Sequence, residues 1–431
     1  MSAARDQFAA REIMSITTTM TPTFDRIVAA ATRIESGIIR TPCKRSEALS
    51  ELCHCEVWCK LDYQQSTGSF KERGARNALM QLDAATRSKG VIAASAGNHA
   101  LALAFHGRDL GIQITVVMPR FAPIVKQVRC REFGARVVVH GDNIAEARHR
   151  ADEIVSSEGL TYINGFNDPD IIIGAGTCGL EILEQCPDLD AIVVPIGGGG
   201  LIAGISLVCS ALRPSAKLIG VESARCPSMT AALAAGHPVR VQSDSSLADG
   251  LAVPEVGSLS FEIARNRIEQ VVTVSEESIT RAILRIAEYE KGVVEGAGAT
   301  PLAALLEGKL PQLVGRKVVL VLCGGNIDPT TLSRVIEHGL TLDGRLIQFL
   351  AVIRDRPGGL ADLALGIAST GASIKQVSHE RAFGEADVSK VQVLCQVEVR
   401  GPDHCEEVFR ALREREIEVV ARGGLRDIAT L

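Results

Sequence analysis

The chain has 431 residues, 46% of them hydrophobic, which is enough for several cores and predicts two or three domains. The formal net charge is −5 at pH 7, acidic and basic residues are interspersed, and only 3% of the residues are aromatic. These values argue against nucleic acid or an anionic membrane surface as the main partner, because both attract concentrated positive charge and single strands also need aromatic stacking surfaces.

The N-terminal residues 1–22 are rich in Ser and Thr and contain no apolar run, which argues against a signal peptide, and a disordered leader is favoured over a transit peptide. The 12 cysteines follow no regular framework, which is typical of a reduced cytoplasmic protein. The densest group, Cys53, Cys55 and Cys59, lacks C-x2-C spacing and has no second pair nearby. Core and surface thiols are therefore favoured over a metal site.

A loop meets a helical pattern at S-T-G-S-F-K-E-R-G-A, residues 66–75. Small and hydroxylated residues lead to Phe70 and Lys71, after which the spacing predicts a helix. A lysine in a first turn is ordinarily solvated. An amine that is shielded from water at this position can instead form a Schiff base with a carbonyl cofactor. The choice between a solvated lysine and a Schiff-base lysine depends on the remaining motifs.

From residue 90 onward, short apolar strands alternate with helical patterns. We predict strands at 91–94, 114–118, 136–139, 191–194, 218–221 and 318–322 and, among them, helices at 99–110, 124–133 and 143–156. This alternation predicts parallel sheets covered on both faces, in which ligands bind at the carboxyl ends of strands. The uncharged stretch 191–212 is long enough to span a bilayer, but Pro195 and four consecutive glycines favour a strand, a turn and a helix.

The four consecutive glycines, residues 197–200, follow the strand that ends near Ile196 and open a helix at Leu201. Backbone N–H groups converge in such a turn and the helix dipole adds positive potential, so a phosphate is the natural occupant. P-loop spacing is absent and no acidic ribose ligand is identifiable. The alternative, a flexible connector, is less favoured.

Two further glycine turns follow predicted strands. In S-A-G-N-H, residues 95–99, the hydroxyl and N–H groups suit a carboxylate, although Asn98 is also a normal helix cap and His99 a normal first-turn histidine. In C-G-G-N, residues 323–326, Cys323 is either a core thiol or a cofactor contact. A reactive amine, a phosphate turn and a carboxylate turn together favour pyridoxal 5′-phosphate with an amino-acid substrate.

The tail has a different pattern. We predict strands at 347–353, 389–399 and 418–420, helices at 360–370 and 404–414, and a less distinct strand near 373–377. The order β-α-β-β-α-β predicts a small ferredoxin-like module after a boundary near residues 343–344.

These stretches together resemble the fold-type II pyridoxal-phosphate enzymes, most closely the threonine/serine dehydratases with a C-terminal ACT domain. The resemblance covers about residues 24–431 and rests on the motifs at 68–75, 94–100, 197–201 and 323–326. It implies an α/β catalytic domain over 23–340 with two parallel or mostly parallel open twisted sheets. It also implies a smaller subdomain at about 60–165 and a ferredoxin-like ACT regulatory domain over 345–431.

The same resemblance implies a role for each motif. Lys71 would be the Schiff-base lysine and later the base at the substrate Cα, and Phe70 would pack against the pyridine ring. Asn98 would bond to the 3′ oxygen of the cofactor, and Cys323 would face the ring nitrogen. The residues implied to hold the phosphate or to form a turn near the cofactor are Gly197, Gly198, Gly199, Gly200, Leu201 and Gly250. Those implied to bind the substrate carboxylate are Ser95, Gly97 and His99.

The chain departs from the family pattern in two places beside the cofactor. Leu101 and Ala102 stand where Gln-Gly is usual, which alters either the carboxylate end of the site or the packing below it. Cys323 replaces the usual serine or threonine. A neutral partner would leave the ring nitrogen unprotonated, which weakens the electron sink and favours rapid β-elimination over transamination.

Two further departures concern neighbouring activities. Serine racemases carry a serine where this chain has Ala96, so racemisation is disfavoured. Members stimulated by a metal ion have a carboxylate six residues after Glu222, where this chain has Ser228, so we predict no bound divalent metal.

The resemblance implies that the chain is a cytoplasmic threonine ammonia-lyase that also acts on serine. It further implies a homo-oligomer, either a dimer or a tetramer. The loop implied to bind a regulatory amino acid in the ACT domain consists of Asp355, Arg356, Pro357, Gly358 and Gly359. Allosteric control is favoured over a purely oligomerising role. The alternatives are L-threo-3-hydroxyaspartate ammonia-lyase, with Arg73 or Arg225 facing the extra carboxylate, serine racemase, and a catalytically silent amino-acid sensor.

Overall fold

The computed structural model describes residues 21–380 and 389–421, and these form two compact units that divide between Ile327 and Asp328. The predicted leader at 1–22 lies, except for its last two residues, outside the described residues. Within the described part of the chain, no helix combines the length and the apolar character needed to cross a membrane.

The first unit alternates helices and strands along most of its length. Its helices are α1 Phe24–Ile34, α2 Glu47–Cys53, α3 Lys71–Gln81, α4 Ala84–Lys89, α5 Asn98–Leu110, α6 Ile124–Glu132, α7 Ile144–Glu158, α8 Pro169–Gln185, α9 Gly200–Leu212, α10 Ser228–Ala235, α11 Ser258–Ala264, α12 Glu276–Arg285 and α13 Gly296–Leu306. Its strands are β1 Cys43–Arg45, β2 Glu56–Lys60, β3 Val91–Ala94, β4 Ile114–Met118, β5 Arg136–Val139, β6 Thr161–Tyr162, β7 Ala191–Pro195, β8 Lys217–Ser223, β9 Gln270–Val274 and β10 Lys317–Val321.

The larger sheet of this unit has the order β1-β2-β10-β7-β8-β9, in which β1 is antiparallel to β2 and every other pair is parallel. The central strand β7 is buried along its whole length, as is expected for a strand covered by helices on both faces. The uncharged stretch that begins with β7 continues through the glycine turn into α9, as predicted.

The smaller sheet is entirely parallel, with the order β5-β4-β3-β6. Its strands β3, β4 and β5 occupy the residues predicted for them, because each is an apolar run bounded by turn residues. The α/β fold class with two mostly parallel sheets is therefore confirmed. The glycine motifs follow the carboxyl ends of β3, β7 and β10, which places them where ligands bind in such sheets.

Close helix packing supports the segment that carries Lys71. Helix α8 contacts both α3 and α9, and glycines occupy the points of closest approach. A Cβ on Gly174 would stand 2.4 Å from the carbonyl oxygen of Arg73, and a Cβ on Gly204 would stand 2.6 Å from the amide nitrogen of Gly176. Larger residues would therefore push these helices apart and move the start of α3.

The second unit has the β-α-β-β-α-β order predicted for the tail, preceded by one more helix. Its elements are α14 Pro329–Leu342, β11 Leu346–Arg354, α15 Gly359–Ala368, β12 Ser373–Glu380, β13 Lys390–Glu398, α16 Pro402–Arg413 and β14 Glu418–Ala421. The sheet order is β12-β13-β11-β14 and every pair is antiparallel. Alternate residues of β13 are buried, because one face of the sheet packs against α15 and α16.

The unit begins earlier than the boundary that we predicted near residues 343–344. Helix α14 belongs to it, and Lys375 of β12 forms an ion pair with Glu337 of α14 at 2.6 Å. Asp328 caps α14 by accepting hydrogen bonds from the backbone N–H groups of Thr330 and Thr331. The division at residues 327–328 therefore coincides with the start of α14.

Candidate active site

Lys71 is the first residue of α3, and the loop before it is fastened to the turn after β10. The backbone N–H of Phe70 donates to the carbonyl oxygen of Cys323 at 2.9 Å, and Ser69 forms an antiparallel bridge with Gly324. The Nζ atom of Lys71 donates to the carbonyl oxygen of Gly165 at 2.6 Å. It also lies 5.0 Å from the centroid of the Phe70 ring. Lys71 is therefore held inside the unit rather than extended into solvent.

Burial lowers the pKa of Lys71 from its ordinary value to about 8, because desolvation disfavours the ammonium ion. The neighbouring Cys323 and Glu295 act in the opposite direction but do not offset the burial. A lysine with this pKa is partly neutral near physiological pH and can act as a nucleophile or base.

Asn98 is the first residue of α5, but its side chain does not cap the helix. The cap position belongs to Gly97. The Nδ2 atom of Asn98 donates to Oε1 of Glu295 at 2.7 Å, and its Oδ1 atom accepts a hydrogen bond from Nδ2 of Asn326 at 2.9 Å. Asn326 also donates to the carbonyl oxygen of Thr67 at 2.7 Å. The amide of Asn98 is thus held from both ends.

Glu295 precedes α13 and is a residue that the sequence analysis missed. It is 4% exposed, and its backbone N–H donates to the carbonyl oxygen of Gly324 at 3.0 Å. Burial, reinforced by Asp249, raises the pKa of Glu295 to about 7, although Lys126 and the hydrogen bond from Asn98 act against the rise. The sequence feature that could have identified it is that Glu295 is the single carboxylate within the apolar, glycine-rich run 292–306.

The glycine turn after β7 is shaped by its lack of side chains. Gly199 has φ +90°, a left-handed conformation that favours glycine, and α9 begins at the next residue. A Cβ on Gly198 would stand 2.2 Å from Cγ of the Phe166 ring. A Cβ on Gly197 would stand 2.9 Å from the carbonyl oxygen of Gly250. The structure therefore brings the predicted Gly250 turn against the predicted phosphate turn.

Phe166 lies in the segment 164–168, which the sequence analysis also missed. The Oδ1 atom of Asn164 accepts hydrogen bonds from the backbone N–H groups of Phe166 and Asn167, which forms a compact turn. This turn presents the carbonyl oxygen of Gly165 to Lys71 and the ring of Phe166 to Gly198. The Asn-Gly pair after a short strand was the sequence signal for it.

The turn at residues 95–99 leads from β3 into α5. The Oγ atom of Ser95 accepts a hydrogen bond from the backbone N–H of Gly97 at 3.3 Å, and a Cβ on Gly97 would meet no atom within 4 Å. The ring of His99 lies against Gly165, and its Nε2 atom is 3.1 Å from the carbonyl oxygen of Ile163. Burial, with Lys71 nearby, lowers the pKa of His99 to about 3 and keeps it neutral.

Cys323 ends the apolar run of β10 and is 3% exposed. Burial, with Glu295 nearby, raises the pKa of its thiol well above the ordinary value, so the thiol remains protonated. Its carbonyl oxygen accepts from Phe70. The residue is thus both a core thiol and a neighbour of Lys71, and the two interpretations of the sequence are compatible.

Arg73 is unsuitable as a partner for a substrate carboxylate, contrary to one alternative in the sequence analysis. Its side chain is fully buried and forms ion pairs with Asp62 at 2.7 Å and Glu181 at 2.6 Å. Lys60, also fully buried, pairs with the same Glu181. We call Lys60, Asp62, Arg73 and Glu181 the buried ion cluster. The other candidate, Arg225, lies 3.9 Å from Glu276 and donates to the carbonyl oxygen of Ser245.

Glu222 is occupied by the start of α10. It accepts hydrogen bonds from the backbone N–H groups of Met229 and Thr230, at 2.6 and 3.0 Å, and from the Thr230 hydroxyl at 2.7 Å. Among residues 21–380 and 389–421, no group of three or more His, Cys, Asp or Glu side chains is arranged to hold a metal ion. All 12 cysteines are free, and most of them, including Cys55 and Cys59, are buried.

The residues of this site fit a phosphorylated carbonyl cofactor. Lys71 supplies a partly neutral amine, and the glycine turn at the N-terminus of α9 supplies backbone N–H groups for a phosphate. The Oγ atom of Ser69 and the Nδ1 atom of His99 are buried without a hydrogen-bond partner within the described part of the chain. Such groups are usually satisfied by a ligand or by water.

Comparisons with known proteins agree with this geometry. Residues 34–324 match the family described as pyridoxal-phosphate dependent enzymes. The chain is 40% identical over 397 residues to L-threonine ammonia-lyase from Thermotoga maritima, a match that covers 92% of this chain and 98% of that protein. Because the first unit has 327 residues, part of this match lies in the second unit.

Two solved structures are similar to most of the chain. The processed form of threonine deaminase isoform 2 from Solanum lycopersicum has a TM-score of 0.69 and 34% identity, covering 74% of this chain and 96% of that one. Serine racemase from Dictyostelium discoideum has a TM-score of 0.67 and 33% identity, covering 71% and 99%. The chain therefore belongs to the pyridoxal-phosphate-dependent enzymes of fold type II and to their ammonia-lyase group, and its cofactor is pyridoxal 5′-phosphate.

Proposed function

We propose that this chain is a threonine ammonia-lyase, which converts L-threonine into 2-oxobutyrate and ammonia and L-serine into pyruvate and ammonia. The observation that carries the proposal is the position of Lys71. Its amine, which is partly buried and has a lowered pKa, lies beside the turn at 95–99, in a chain whose Thermotoga maritima relative is an L-threonine ammonia-lyase. Lys71 is therefore the residue that we assign to the transfer of the substrate's α-proton.

When bound, pyridoxal 5′-phosphate supplies an aldehyde that condenses with amines and a ring that withdraws electrons from the substrate Cα. Lys71 provides the amine and, in its neutral form, takes the proton from Cα. The carbonyl oxygen of Gly165 holds Nζ in place by accepting its hydrogen bond. Phe70 covers one side of this amine with an apolar ring.

Backbone N–H groups, rather than charged side chains, would receive the two anionic groups. The turn at 197–200, with Leu201 in the first turn of α9, would hold the phosphate, because the N-terminus of a helix attracts negative charge. The turn at 95–99 would hold the substrate carboxylate at the N-terminus of α5. His99 stays neutral there, so its ring orients the substrate without adding a charge.

Two residues favour elimination over the competing reactions. Cys323 keeps its proton, so the group that we expect to face the ring nitrogen of the cofactor is neutral. A carboxylate at that position would hold the ring nitrogen protonated. Ala96 stands in the turn at 95–99 with a methyl group that cannot donate a proton to the second face of Cα. Racemisation needs such a donor, so we expect elimination to exceed racemisation.

We further propose that the second unit regulates the enzyme by binding an amino acid. The loop at 355–359 joins β11 to α15, and Gly358 adopts φ +95° at the start of that helix. The backbone N–H of Asp355 donates to the carbonyl oxygen of Ser389 at 2.8 Å, which fixes the loop against the start of β13. A helix N-terminus after a glycine turn suits the carboxylate of a free amino acid. Homo-oligomerisation stays a prediction.

The decisive experiment measures 2-oxo acid and ammonia release from L-threonine, L-serine, D-serine and L-threo-3-hydroxyaspartate, with and without isoleucine or valine. We expect the fastest release from L-threonine and loss of release in Lys71→Ala. A change of rate with either effector would support the regulatory proposal. No release from any of these substrates, by a protein that binds the cofactor, would refute the lyase assignment. Fastest release from L-threo-3-hydroxyaspartate would show that this compound, rather than threonine, is the preferred substrate.

A further inference from the structure

We propose that Glu295 is a positioning residue, which together with Asn326 fixes the side-chain amide of Asn98 so that one Nδ2 hydrogen is reserved for the 3′ oxygen of the cofactor. The inference deepens the proposed function, because it rests on Asn98 lying beside that oxygen. Neither Glu295 nor Asn326 needs to touch the substrate to have this effect.

The hydrogen-bonding capacity of a primary amide leads to this assignment. Asn98 has one carbonyl oxygen that accepts and two N–H groups that donate. Its Oδ1 atom accepts from Asn326 at 2.9 Å, and one N–H group donates to Glu295 at 2.7 Å. An ionised carboxylate only accepts hydrogen bonds, so Glu295 determines which end of the amide faces it. One N–H group of Asn98 is left for a further acceptor.

Asn326 is oriented in the same way. Its Nδ2 atom donates both to the carbonyl oxygen of Thr67 at 2.7 Å and to Oδ1 of Asn98. Since both partners are acceptors, the two N–H groups of Asn326 are used and its amide cannot be reversed without losing both bonds. The bonds therefore run in one direction, from Asn326 to Asn98 to Glu295, and such chains strengthen one another in a buried site.

The backbone around Glu295 is built to admit its carboxylate. A Cβ on Gly324 would stand only 2.3 Å from Oε1 of Glu295, so any larger residue at 324 would displace the carboxylate. The backbone N–H of Glu295 donates to the carbonyl oxygen of the same glycine at 3.0 Å. Burying a carboxylate costs free energy, and the chain retains this one beside Asn98.

Glu295 can also change its charge in the working pH range, since its pKa is raised to about 7 by burial. The charged or titratable groups that act on it are Asp249, Lys126, Lys71 and Cys323. A protonated carboxyl no longer dictates the orientation of the amide. The environment of the cofactor's 3′ oxygen should therefore change as pH falls through this range.

The test compares holoenzymes of the wild type, Glu295→Gln, Glu295→Ala and Asn326→Ala, with the visible absorption band and the dissociation constant of the cofactor as readouts. Glu307→Gln is the matched control, because Glu307 accepts a backbone hydrogen bond from Ser275 at 3.0 Å as part of a different contact. We expect the two alanine variants to shift the band and to weaken cofactor binding about tenfold, the effect of losing one hydrogen bond to a charged group.

Glu295→Gln retains an oxygen that can accept from Asn98, so we expect the wild-type band at alkaline pH but no titration of the band near pH 7. A wild-type band in Glu295→Ala, in a protein with the thermal stability of Glu307→Gln, would overturn the proposal. An unchanged titration in Glu295→Gln would also overturn it. These readouts need no substrate, so a failure to act on threonine would refute the proposed function without changing them.

Discussion

The lowered pKa of Lys71 makes a quantitative prediction about how the apoenzyme captures its cofactor. With a pKa of about 8 instead of 10.5, about 9% of the amine is neutral at pH 7 rather than about 0.03%, a difference of about 300-fold. Only the neutral amine attacks an aldehyde. The rate constant for covalent capture should therefore rise about tenfold per pH unit below pH 8 and become constant above it.

The assay mixes apoenzyme with pyridoxal 5′-phosphate in a stopped-flow instrument from pH 6.5 to 10 and follows the visible band. The model amine Nα-acetyl-lysine, under the same conditions, should continue to accelerate up to about pH 10.5, which corrects for ionisation of the cofactor itself. Glu295→Gln separates the titration of that carboxylate from the titration of the amine. A protein rate constant that rises in parallel with the model amine beyond pH 9 would refute the reasoning.

Two further predictions concern the surroundings of the site. Gly198→Ala places a methyl group 2.2 Å from the Phe166 ring, so we expect cofactor affinity to fall about tenfold, within the ~1–3 kcal/mol typical of overpacking. Adding Phe166→Ala to this variant should restore part of the lost cofactor affinity. If a cofactor titration of the double variant shows no recovery, the clash with the ring is not the cause of the loss. Arg73→Met leaves the buried Asp62 without its ion-pair partner and leaves Glu181 with Lys60 alone, so the free energy of unfolding should fall by about 3–5 kcal/mol. Arg40 forms an exposed ion pair with Glu184, and its side chain is 59% exposed, so Arg40→Met should lower the free energy of unfolding by at most about 1 kcal/mol. Equal losses for Arg73→Met and Arg40→Met in denaturant titrations would contradict the argument.

The parts of the fold that the sequence predicted well are those specified by local pattern. Strands β3, β4 and β5 are apolar runs between turn residues, and helix α5 begins at Asn98, one residue before the predicted start. Strand β12 was the hardest to recognise, because its sequence S-I-K-Q-V-S-H-E contains few apolar residues. It forms because β13 supplies a partner, which only the folded sheet reveals.

The parts of the site that the sequence did not predict depend on contacts between distant residues. Glu295 meets Asn98 across 197 positions, and Gly165 meets Lys71 across 94. The sequence marks Gly165 only as part of a turn and Glu295 only as a carboxylate in an apolar run, and neither signal says which distant residue will be the partner. Arg73 is a different case, because the sequence offered it as one of two candidate cations for the extra carboxylate of 3-hydroxyaspartate, whereas its side chain lies in the buried ion cluster.

Burial shifts the pKa values of Lys71, His99 and Glu295, which surround the proposed cofactor position, so that each side chain is closer to its neutral form. The pKa of Lys71 is lowered to about 8, that of His99 is lowered to about 3, and that of Glu295 is raised to about 7. With these three side chains close to neutral, the phosphate and the substrate carboxylate would be attracted mainly by other groups. We assign this role to the N-termini of α5 and α9, since helix dipoles and free N–H groups stay positive at every pH.

The assignment of anion binding to backbone groups rather than to charged side chains affects which substrates the site would accept. In the proposed site, backbone groups would bind the carboxylate that every amino acid carries, and they would add no cation for a second, side-chain carboxylate. Arg73, the arginine closest in sequence to Lys71, is committed to Asp62 and Glu181. Threonine and serine carry a neutral β-hydroxyl and need no such cation, whereas 3-hydroxyaspartate does. The commitment of Arg73 to the buried ion cluster therefore supports the proposal that threonine and serine are preferred to 3-hydroxyaspartate.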